Sequence, residues 1–123
     1  MIHIVLETDT FEVGGEIAGQ VSVSLDRNNP PKQIEIEALW RTEGRGTRDK
    51  RTIDSVSPPL EGATWAIGRQ FPFRFPLPDD VPISYDGELI RVIWEVEVRV
   101  ALGWLKSLKE TASFRVLPKN SRR

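Results

Sequence analysis

The chain has 123 residues, a formal net charge of −1, 39% hydrophobic and 28% charged residues, and no cysteine. That length suits one domain, which buries roughly two-thirds of its unfolded surface. Near-neutral charge provides no global attraction to nucleic acid or acidic lipid, and the lack of cysteine excludes disulfides, thiolate metal sites and cysteine nucleophiles.

The opening stretch Met1-Ile2-His3-Ile4-Val5-Leu6-Glu7-Thr8-Asp9 lacks the basic start, long apolar region and cleavage site of a signal peptide. No apolar run approaches the ~20 residues that cross a bilayer. The expectations are a cytoplasmic location, no stable membrane insertion and no nucleic-acid partner.

Read along the chain, the repeating signal is alternation with period two. Ile2 to Glu7 is a first strand candidate. Ile17, Gly19, Val21, Val23 and Leu25 fall on one side of a second, and Ile34, Ile36, Ala38 and Trp40 on one side of a third, with Glu35, Glu37 and Arg41 turned away. The turn-rich runs Asn28-Asn29-Pro30-Pro31 and Ser57-Pro58-Pro59 punctuate the chain. Thr47 to Val56 is a weaker strand candidate, and Trp65 to Phe75 and Leu108 to Val116 are further ones. The strongest pattern is Ile90, Val92, Trp94, Val96, Val98, Val100 and Leu102, whose opposite face carries Leu89, Arg91, Ile93, Glu95, Glu97, Arg99 and Ala101. Its charged middle predicts solvent on that side. About seven mainly antiparallel strands and no capped amphipathic helix predict an all-β, immunoglobulin-like sandwich over residues 1–118, followed by a flexible basic tail over 119–123.

No residue set supports catalysis, and no cofactor or metal is expected. His3 is the only histidine and has no partners near it in sequence for a hydrolase triad or a metal site. Asp79, Asp80, Asp86 and Glu88 match no calcium-loop spacing and, among Pro78, Pro82 and Gly87, read as a polar connection. Gly14, Gly15 and Gly19 precede a β-patterned segment, which excludes the strand-loop-helix phosphate cradle.

Two surfaces are candidates for contact with a protein partner. Between Arg41 and Arg51, the cations Arg41, Arg45, Arg48, Lys50 and Arg51 outweigh Glu43 and Asp49 around Gly44 and Gly46. The arginines there suit a carboxylate or phosphate, and the competing reading is a solvated hairpin. The second is Trp104 with Leu105, either an exposed anchor at a hairpin tip or a small satellite core.

Phe71-Pro72-Phe73-Arg74-Phe75-Pro76-Leu77-Pro78, followed by Pro82-Ile83-Ser84-Tyr85-Asp86-Gly87 and a long strand, resembles the arrestin-like family. Gly15-Glu16-Ile17-Ala18-Gly19-Gln20-Val21 is similar to that family's strand start, in which Gly-Glu precedes Gly-x-Val, so the two motifs span most of one N-terminal-type arrestin domain. The resemblance implies an arrestin-type sandwich that acts as a non-catalytic adaptor. It does not carry over phosphoreceptor sensing, because Ile2 to Glu16 has no lysine or arginine. Nor does it carry over the inter-domain polar core, because no second sandwich follows Val116, or proline-tyrosine recruitment motifs.

The expected function is therefore protein interaction through hairpin tips or strand edges, with self-association through an edge that buries Leu89 or Ile93 as one form. The alternative is a carbohydrate- or lipid-binding sandwich, which requires Trp40, Trp65 or Trp104 to be exposed.

Overall fold

A computed structural model describes residues 1–26, 30–46, 48–60, 65–103 and 106–119. The described residues form nine strands: β1 (Ile2–Leu6), β2 (Thr10–Glu12), β3 (Glu16–Val23), β4 (Gln33–Gly44), β5 (Lys50–Val56), β6 (Arg69–Pro76), β7 (Tyr85–Asp86), β8 (Ile90–Gly103) and β9 (Lys106–Leu117). One sheet runs β1-β3-β6 and the other β2-β9-β8-β4-β5, with β7 added to β8. All pairs are antiparallel except the parallel β2–β9. This is the sandwich the alternation predicts. The two strands it lacks, β2 and β7, have three and two residues, too few to show a period.

Alternation decides what each sheet buries. In β8, Trp94, Val96, Val98, Val100 and Leu102 are all buried, each side chain worth roughly 1.5–3 kcal/mol when fully removed from water. Ile17, Val21 and Val23 from β3 face them, as do Phe71, Phe73 and Phe75 from β6. β6 begins at Arg69 rather than Trp65, and Trp65 sits in a turn with its ring stacked 6.2 Å from Phe71.

The two motifs that carry the family resemblance become neighbouring strands. β3 and β6 pair along their whole length, from Glu16 opposite Pro76 to Val23 opposite Arg69. Pro72 and Pro76 are tolerated because β6 is an edge strand, where a missing N–H need not break a ladder. A Cβ on Gly19 would lie 2.5 Å from the Val5 carbonyl oxygen and 2.8 Å from Cζ of Phe73. Glycine there lets β1 and the Phe73 ring approach together.

Beyond β6, the connection is fixed by hydrogen bonds to the core strands. The Trp94 indole Nε1 donates to the Pro82 carbonyl at 2.9 Å, the Ser84 amide donates to the Val116 carbonyl at 2.8 Å, and the Val116 amide donates to Ser84 Oγ at 2.8 Å. Trp94 also packs on Phe114, which meets Phe11 of β2 edge-on at 5.3 Å. Trp94→Phe removes the indole donor and leaves a void. Urea unfolding should show a loss of about 2–4 kcal/mol relative to the parent.

Candidate functional site

The candidate site lies at the sandwich end where the β4–β5 hairpin meets the β7–β8 turn. Antiparallel register sets Gly44 opposite Ile90, and the Arg45 amide donates to the Leu89 carbonyl at 3.1 Å. Gly44 has φ +139°, and a Cβ on it would lie 2.1 Å from the Leu89 carbonyl oxygen, so only glycine allows this crossing. Across the hairpin, the Thr42 amide donates to the Asp49 carbonyl and the Asp49 amide to Thr42 Oγ1, both at 2.9 Å.

The five basic residues predicted here divide into two groups. Arg41 is held by Glu43 at 2.6 Å and by Glu95 of β8 at 3.2 Å, and Lys50 lies 3.7 Å from Glu97. Both are therefore part of the sheet's outer face rather than cations free for a ligand. Arg45, Arg48 and Arg51 are exposed, Arg45 and Arg48 on the hairpin loop and Arg51 on edge strand β5. Trp104 and Leu105 lie outside the described residues.

Glu95 and Glu97 correct the expectation of solvent over the charged middle of β8. They are 8% and 3% exposed, because Arg41, Lys50, Arg99 (2.5 Å from Glu97) and Lys109 (4.0 Å) fold over them. Leu39 is fully buried in the same layer, opposite Glu95 and Thr52. The aliphatic stems of these long cations cover apolar surface while their heads reach the carboxylates.

Sequence reasoning missed the apolar half of the site. Leu89 is 67% exposed with Ile90 exposed beside it, and Tyr85 and Ile83, earlier in the same connection, are exposed as well. The Tyr85 ring lies against Gly87, where a Cβ would come within 2.4 Å of Cε2. Only the β4–β8 register brings Leu89 beside Arg45. Below the tip, β9 leaves β8 after Phe114 to join β2, and β7 joins β8 at Val92. The wedge between them is an open depression of about 650 Å³, bordered by Arg41, Glu43, Tyr85, Arg91, Ile93 and Arg115. Arg91 is engaged there, 2.9 Å from Asp86 and 3.3 Å from Glu43.

Three further expectations change with the structure. β8 is flanked by β4 on one side and by β9 and β7 on the other, so neither Ile93 within it nor Leu89 in the preceding turn offers an open strand edge. The free edge β5 carries a bulge, since Ala38 pairs with Asp54 and Leu39 with Thr52, leaving Ile53 extra; such a kink blunts edge pairing. Trp65 is buried and Trp40 is packed against the core, so neither forms an exposed aromatic platform for a sugar or lipid. Among the described residues no three acids or imidazoles gather to hold a metal, and no helix is long and apolar enough to cross a membrane.

Arg41→Ala uncovers Glu95 and should cost about 1–3 kcal/mol in denaturant unfolding, whereas Arg45→Ala, with only solvent around its head, should change stability by less than about 0.5 kcal/mol. The Glu43 carboxyl is held below the usual range, chiefly by the hydrogen bond from Arg41, with burial opposing and the charges of Arg41, Arg91 and Arg48 adding. A folded-state value below the unfolded one gives stability that is present above the unfolded glutamate value, about 4.3, and lost as pH falls through the folded value. Glu43→Gln should therefore be less stable than the parent at neutral pH, and the two unfolding curves should converge as the pH drops below about 4.

No family model and no curated protein matches the chain. Among solved structures, it is similar to Spo0M, a sporulation control protein from Bacillus subtilis, with a TM-score of 0.69 and 24% identity. The match covers 94% of this chain and 48% of that one, so the chain spans about half the length of Spo0M. The likeness is one of fold, and the fold is the arrestin-type β-sandwich that the sequence motifs imply.

Proposed function

We propose that this domain is a non-catalytic interaction module that grips a partner segment at the tip formed by the β4–β5 hairpin and the β7–β8 turn. The observation that carries this reading is the pairing of exposed cations with exposed apolar side chains on one rigid frame. Arg45 stands beside Leu89 and Ile90, Arg48 is exposed on the same hairpin loop, and backbone hydrogen bonds hold the two turns together.

Exposed leucine and isoleucine side chains cluster on protein surfaces chiefly where a partner covers them. Arginines at the rim add charge-assisted hydrogen bonds to a carboxylate or phosphate. The partner segment that fits is short, carrying an aliphatic or aromatic residue next to an acidic one. The resemblance to the arrestin-like family and the fold shared with a sporulation control protein support an adaptor role. The cytoplasm is the compartment in which we place it.

Panning a random peptide display library against the purified domain tests this reading. The expected result is enrichment of peptides with Asp or Glu adjacent to an apolar residue. Their binding should fall at least tenfold, about 1.4 kcal/mol, in the double variant Arg45→Glu with Arg48→Glu and, separately, in Leu89→Asp. Selected peptides that bind both variants as well as the parent, or no enrichment at all, would refute it.

A further inference from the structure

The outer face of the larger sheet is built in rows across its strands, and one of those rows is incomplete. In the row Leu39–Glu95–Ser113, β4, β8 and β9 each supply a residue. In the row Glu43–Arg91–Asp86, β7 supplies the third. Between these two lies the row Arg41–Ile93, to which neither β9 nor β7 adds a member, because β9 has turned to set Arg115 beside Thr10 of β2 and β7 begins at Tyr85, opposite Val92. The open depression of about 650 Å³ occupies this gap, and its size suits a small ligand. Ile93 is half-buried and gives the gap an apolar floor.

The cations around the gap are unequally committed. Arg41 holds Glu43 and Glu95, and Arg91 holds Asp86 and Glu43. Arg115 is exposed, and among the described residues no ion pair or side-chain hydrogen bond engages its guanidinium. Its backbone is fixed nonetheless, since its amide donates to the Asp9 carbonyl at 2.9 Å and Phe114 and Val116 on either side are buried. Hydroxyl groups add donors. Ser113 and Tyr85 line the gap, and Ser84 Oγ, which accepts from the Val116 amide, keeps its own hydrogen for another acceptor.

We propose that this gap binds a carboxylate carried beside a short aliphatic group, with the carboxylate on Arg115 and the aliphatic group on Ile93. One uncommitted guanidinium matches one negative charge, and its planar fork fits both oxygens of a carboxylate. A phosphate carrying about two negative charges would also meet Glu43 and Asp86 at the same border, where like charges repel. The aliphatic group covers Ile93, whose burial the incomplete row leaves unfinished. Such a ligand has two sources, the C-terminus of a chain that ends in an aliphatic residue and a free short carboxylic acid. None of Arg45, Arg48 and Leu89 lines the gap, so this inference does not rest on the grip proposed at the tip.

NMR titration of the isotope-labelled whole chain with isocaproate, its uncharged amide and the peptide Gly-Ser-Gly-Leu with a free C-terminus reads the site directly. Isocaproate should shift the amide signals of Ile93, Ser113 and Arg115 saturably, with a dissociation constant below about 10 mM, and the amide should bind at least about tenfold more weakly. The peptide separates the sources: binding as tight as that of isocaproate assigns the gap to a chain terminus, and weaker binding assigns it to free acids. Arg115→Gln, shown to be folded by circular dichroism, should weaken isocaproate at least about tenfold. Lys106→Gln, the same loss of charge at the other end of β9, should bind like the parent. The proposal is overturned if neither acid gives a saturable shift up to about 50 mM, or if isocaproate and its amide bind alike. A folded Arg115→Gln that binds like the parent overturns it too, as does inorganic phosphate binding more tightly than both acids.

Discussion

The Trp94 indole is enclosed between two sheets and has one polar atom to satisfy, and the surrounding structure is arranged around that requirement. Its partner, the Pro82 carbonyl, belongs to the irregular connection after β6. A buried N–H left unpaired costs about 1–3 kcal/mol, so the indole and this connection hold each other in place. The same ring lies against Phe114, where β9 parts from β8, and Phe114 in turn meets Phe11 of β2. The point at which the larger sheet splits is thus the point at which aromatic packing is densest. Ser84 closes the split by exchanging two hydrogen bonds with Val116.

The outer side of β8 obeys a different constraint. Glu95 and Glu97 follow the strand's alternation and point away from the core, yet the cations of β4, β5 and β9 bury them. Carboxylates so placed are retained only if paired, since an unpaired buried charge costs several kcal/mol. This explains why two of the hairpin's five basic residues are committed to the sheet. It leaves Arg45 and Arg48 at the tip with Leu89. The smaller sheet differs, with three phenylalanines inside and mostly neutral side chains outside, apart from Arg74 bridged to Glu7 and Glu16.

Much of this was legible in the sequence, and the limits of that reading are physical. Strong period-two runs marked β3, β4 and β8, and Trp65 to Phe75 marked the strand β6, whose phenylalanines the structure turns inward. Two short strands escaped because two or three residues carry no period. The charge on the Arg41–Arg51 segment was visible, but its division was not: the acid that binds Arg41 from β8 lies 54 residues away, and only strand register brings it near. The apolar half of the tip escaped for the same reason. Leu89 was counted on the outward face of its strand, whereas it occupies a turn that Gly44 allows the hairpin to approach.

The parallel pairing of β2 with β9 joins Thr10–Glu12 to Arg115–Leu117, segments about one hundred residues apart in the chain. On a ribosome, β2 emerges early and has no ladder partner until β9 has been made. Phe11, which completes the aromatic contact with Phe114, stays uncovered for the same interval. Contacts this distant in sequence slow folding, because loop-closure entropy must be overcome before they contribute any stability. The larger sheet therefore closes last, and a nascent chain that stalls short of Arg115 presents an unpaired strand and an exposed phenylalanine, features on which chaperones act and from which aggregation starts.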